Sequence, residues 1–121
     1  MQQNIIQNKS YKFALRIINL YKFLINRNKE NALFKQILKS GTSIGANIEE
    51  ALGAQSRNDF IAKSSIAYKE ARETKYWLNL LKDTDYIPVE GANELLEDCE
   101  ELLRILASII KTTKTTKKAN S

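Results

Sequence analysis

The chain has 121 residues, 43% of them hydrophobic and 27% charged, which excludes wholesale disorder and leaves room for one domain with one core. A single cysteine, Cys99, excludes an intrachain disulfide; no window nears the ~20 apolar residues that span a bilayer, and the N-terminus MQQNIIQNKSYKF lacks the apolar run of a secretory signal, so a cytoplasmic address is expected. The net charge of +5 is uneven, with eight Lys/Arg against one Glu in residues 1–39, one Arg against six Asp/Glu in residues 88–110, and four Lys from Lys111 onward.

Four Gly and one Pro are few breakers, and apolar residues recur at helical rather than alternating spacing. The first predicted helix runs from Ser10 to Arg27, with Phe13, Ile17, Leu20, Tyr21 and Leu24 on one face and Ala14, Ile18 and Ile25 widening it. That arc is broader than one bundle seam requires, so burial against something beyond the other helices is expected. Asn31 is placed to cap a second helix from Ala32 to Ala54, built on Phe34, Ile37, Ile44 and Ile48. Gly41 and Gly45 sit in its middle, each costing about 1 kcal/mol relative to Ala. They read as a close helix crossing or an oligomer contact.

Ser56 followed by Asp59 marks the start of a third helix, which ends near Lys82 and carries Phe60, Ala67, Ala71, Leu78 and Leu81 on one face. Residues 83–86 form a loop, and Pro88 suits the first turn of a fourth helix reaching Lys111, with Ala92, Leu95, Cys99, Leu102, Leu106 and Ile109 as its seam. Residues 112–121 read as a basic, disordered Thr/Lys-rich tail after a bundle domain over 1–111. Short loops between long helices force antiparallel neighbours, so the expected fold is all-α, an antiparallel up-down-up-down four-helix bundle. In that topology the basic first helix lies beside the acidic fourth and can pair with it.

No constellation points to catalysis. The chain has no histidine, so Cys99 and the serines lack a base, and no glycine-rich phosphate loop is present. Glu70 and Glu73 have the spacing of a bundle metal motif, but without histidine no metal or other cofactor is expected. Ser43, Asn47, Glu50, Glu70 and Glu73 read instead as a structural polar network between the second and third helices. The basic residues Lys9, Lys12, Arg16 and Arg27, with Lys111, Lys114, Lys117 and Lys118, are either solvated faces or a phosphate-binding surface. Tyr11 and Tyr76 are exposed aromatics suited to base stacking or to an oligomer interface.

Phe34-Lys35-Gln36-Ile37, residues 43–50 (SIGANIEE), residues 56–60 (SRNDF) and residues 66–78 (IAYKEARETKYWL) together resemble the four helix bundle proteins known as 23S rRNA intervening sequence proteins. One departure is Ala51, where that family usually has Gly. The resemblance implies a ring-shaped homopentamer and transfers no active site. The chain is also similar to accessory proteins of diversity-generating retroelements, basic pentameric barrels that bind nucleic acid and a reverse transcriptase. The expected function is thus a non-enzymatic homo-oligomeric bundle that binds RNA or DNA backbone, with further copies of itself and a nucleic-acid-processing protein as partners. The alternative is a protein–protein scaffold that ignores nucleic acid.

Overall fold

A computed structural model describes residues 2–119, with side chains over residues 4–116. It contains four helices: α1 (Gln2–Arg27), α2 (Ala32–Leu52), α3 (Arg57–Asp83) and α4 (Val89–Ala119). Each packs on its sequence neighbour, and α1 closes the bundle against α4 along the thinnest of the four seams. The topology is up-down-up-down.

The helix starts are set locally. Asn31 accepts a hydrogen bond from the Phe34 amide at 3.1 Å, and Ser56 accepts one from the Asp59 amide at 3.1 Å, each satisfying a donor left free at a helix N-terminus. Between α3 and α4 the chain turns through Asp85, whose φ of 64° is left-handed, a region that Asp tolerates better than most residues. Tyr86 meets the Phe34 ring edge-on at 5.2 Å and Ile87 is buried, so this loop is pinned to the core.

The core runs the length of the bundle through Ile17, Leu24, Phe34, Ile44, Leu78 and Leu102, all essentially inaccessible. Fully burying each such side chain contributes roughly 1.5–3 kcal/mol. Gly41 and Gly45 are where α1 and α2 approach closely. A Cβ on Gly41 would stand 2.8 Å from Ile17 Cγ1 and Cγ2, and one on Gly45 would stand 3.5 Å from Ser10 Oγ. The small residues thus admit α1, and their cost in helix propensity is offset by that packing.

Both terminal helices are longer than their sequence patterns indicate. α1 starts at Gln2 rather than Ser10, and Ile6 in this added stretch is buried in the core. α4 passes Lys111 and continues to Ala119, so the expected disordered tail over 112–121 is helical as far as it is described. The hydroxyls of Thr113, Thr115 and Thr116 donate to the carbonyls four residues back, and lysines near a helix C-terminus suit its dipole.

Candidate nucleic-acid interface

The predicted basic residues separate into two groups. On α1, Lys9 pairs with Glu101 at 3.2 Å, and Arg16 pairs with Glu94 at 3.3 Å and with Asp98. Arg27 lies over the Phe23 ring, 3.9 Å from its centroid, a cation–π contact. Lys12 is exposed and shares a shallow cleft with Lys9, Arg16, Asp98 and Glu101. Lys9 and Arg16 are thus paired with α4, whereas Lys12 and Arg27 have no ion pair among the described residues.

The second group is on the C-terminal half of α4. Lys111 and Lys114 line a groove of about 460 Å³ between α3 and α4, together with Ser65, Tyr68, Ala107 and Ile110. No carboxylate lines it, because α4 has no acidic residue beyond Glu101 and α3 has none between Asp59 and Glu70. Among the described residues neither lysine is in an ion pair; the acids of α4 instead bind Lys9, Arg16 and, through Glu100, Lys75. Lys117 and Lys118 lie outside the described side chains. Tyr68 was not singled out from sequence. The signal available was its position in the acid-free half of α3, but only packing brings that half against the acid-free half of α4.

The expected α2–α3 network takes a different form. Ser43 donates to the Lys39 carbonyl at 2.6 Å and Asn47 to the Ser43 carbonyl at 2.8 Å, both within α2. Glu73 accepts from Trp77 Nε1 at 3.2 Å within α3. Of the five residues, Glu50 bridges the helices, pairing with Lys63 at 3.2 Å. Glu70 makes no cross-helix bond among those observed; its carboxyl is pushed up from the usual value by burial first and by neighbouring Glu73 second, with Lys69 and Lys39 opposing. The buried polar link is Ser40 with Thr74, whose hydroxyls lie 2.9 Å apart. Thr74 Oγ1 is also 2.7 Å from the Glu70 carbonyl. With one proton to give, Thr74 donates to that carbonyl and accepts from Ser40.

Cys99 is buried and its thiol donates to the Ala71 carbonyl at 3.2 Å. Burial, then the nearby Glu100, pushes its pKa up to about 12, so the thiol stays protonated and unreactive at neutral pH. Among the described residues no group of three or more His, Cys, Asp or Glu gathers as a metal cluster, and no helix is long and apolar enough to cross a membrane.

An up-down four-helix bundle with its charged residues on the outside defines a helical-bundle protein class. Within that class, the chain belongs to the 23S rRNA-intervening sequence protein family, whose profile it matches over residues 2–108. Its fold is similar to the crystal structure, at 1.70 Å, of a protein of unknown function from the S23 ribosomal protein family of Bacteroides thetaiotaomicron VPI-5482. The two are 57% identical and superpose with a TM-score of 0.89, over 92% of this chain and 99% of that one. No curated protein matches the sequence.

Proposed function

We propose that this protein is a non-enzymatic, self-associating bundle that binds RNA or DNA through the phosphate backbone and presents it to a nucleic-acid-processing protein. The observation that carries this reading is the division of charge. α4 uses its acidic half to hold Lys9 and Arg16 of α1, while Lys111 and Lys114 on its other half stand beside a groove without a carboxylate. Oligomerisation would multiply that surface, and the family resemblance drawn from the sequence implies a homopentamer. A second feature favours self-association: Tyr11, Leu15 and Ile25 of α1 are exposed apolar or aromatic residues, and with Ile18 they form a 3–4 stripe facing away from the core.

The test is binding of a fluorescent structured RNA and a matched DNA duplex across a salt series, at an oligomer size fixed by sedimentation. Affinity should fall steeply and linearly on a log–log plot, with a slope of about −0.9 per duplex phosphate contacted. No binding at low salt would remove the nucleic-acid reading. Pull-down partners that survive nuclease and high salt would then favour the protein scaffold.

A further inference from the structure

We propose that the α3–α4 groove is a site for single-stranded nucleic acid, in which Tyr68 takes an unstacked base and Lys111 and Lys114 hold the flanking phosphates. This rests on the nucleic-acid reading above and specifies both the surface and the strand form. The groove has the size of a small-ligand site, about 460 Å³. Its apolar lining is Ala107 and Ile110, and its aromatic is Tyr68, which is half-buried and packs against the core. An aromatic anchored in this way is a preorganised stacking platform. Stacking on the ring requires a base that has left its duplex stack, whereas a duplex offers its phosphates to the lysines while its bases stay stacked inside.

The charge fits the same occupant. Arg104 precedes Lys111 by two helical turns on α4, so Arg104, Lys111 and Lys114 form a positive track about 15 Å long at 1.5 Å per residue. Arg104 is exposed and, among the described residues, has no ion pair. Ser65 adds a hydroxyl at the groove wall without an opposing negative charge. An acidic peptide would use the lysines but gain little from an aromatic ring beside them.

The test compares a short single-stranded oligothymidine with a duplex of the same length, using the intact chain and three variants. K111Q/K114Q should lower the single-strand salt slope by about 1.4, the value for two lost phosphate contacts. Y68L should weaken the single strand about 5- to 150-fold and leave the duplex within about twofold. K9Q/K12Q, on the α1 edge, should change neither. Ultraviolet crosslinking of the wild type to the oligothymidine, followed by peptide mapping, should place an adduct on Tyr68, which keeps the question open to test if Y68L folds poorly. Wild-type binding with an unchanged slope in K111Q/K114Q, or an adduct confined to other residues, overturns the groove but leaves the general nucleic-acid reading intact. Equal loss of duplex and single strand in a folded Y68L overturns the single-strand assignment. Absence of all binding overturns both readings.

Discussion

Gly41 and Gly91 occupy helices with opposite surroundings, and the same substitution should act on them in opposite directions. A Cβ at Gly41 would meet Ile17 at 2.8 Å on atoms close to its own backbone, whereas nothing lies within 4 Å of one at Gly91. G41A should cost about 1–3 kcal/mol through overpacking, despite the helix propensity it gains. G91A should stabilise by up to about 1 kcal/mol. Urea melts of both variants decide this, and a stabilised G41A would mean that α1 is not seated on Gly41. Glu70 makes a second prediction at this scale. Its folded-state pKa lies above the ordinary carboxyl value of 4.5, so its contribution is fully present below about pH 4.5 and is lost as pH rises through the folded value. E70Q should therefore be slightly more stable than wild type at pH 7, with the difference narrowing as pH falls toward 4. Thermal melts at the two pH values check this. The glycines were legible in sequence as a close approach, but not which helix approached. Ser40 and Thr74 were not legible as a bond, since each is an unremarkable small residue until the helices are paired.

Among the elements, α1 differs from the others in how it is held. Toward α2 it is packed through Ile17 over Gly41, while toward α4 its seam is fastened by Lys9–Glu101 and by Arg16 with Glu94 and Asp98. Solvent-accessible ion pairs contribute little, typically under about 1 kcal/mol, and are screened by salt. R16Q should therefore destabilise the bundle by less than about 1 kcal/mol at low salt and by nothing measurable at 1 M salt. Denaturant midpoints at the two ionic strengths test it, and a large loss that persists in salt would show that the Arg16 stem, rather than its charge, holds the seam. The pairing of a basic first helix with an acidic last one follows from charge and topology alone. The helix ends were less legible, because in α4 polar residues continue a helix that apolar periodicity no longer marks, and in α1 the small polar Ser10 interrupts the apolar face. In α1 the buried Ile6 extends it, and in α4 the threonine hydroxyls bond back to the helix carbonyls.

For the whole molecule, the outward stripe on α1 bears on assembly. Tyr11, Leu15 and Ile25 are 66%, 46% and 40% exposed, and L15E/I25E should leave the bundle folded while reducing the oligomer to monomers in sedimentation velocity. A wild-type chain that is monomeric at tens of micromolar would dismiss the ring. The helices, their order, the antiparallel topology and the sign of charge on each segment can be read from the residues alone, because these depend on local periodicity, caps, loop length and composition. Which cations of α1 and α4 are paired and which stay available depends on packing. Side-chain pairing across helices depends on register and rotation, which bring the acids of α4 to Lys9 and Arg16 and leave Lys111 and Lys114 beside Tyr68.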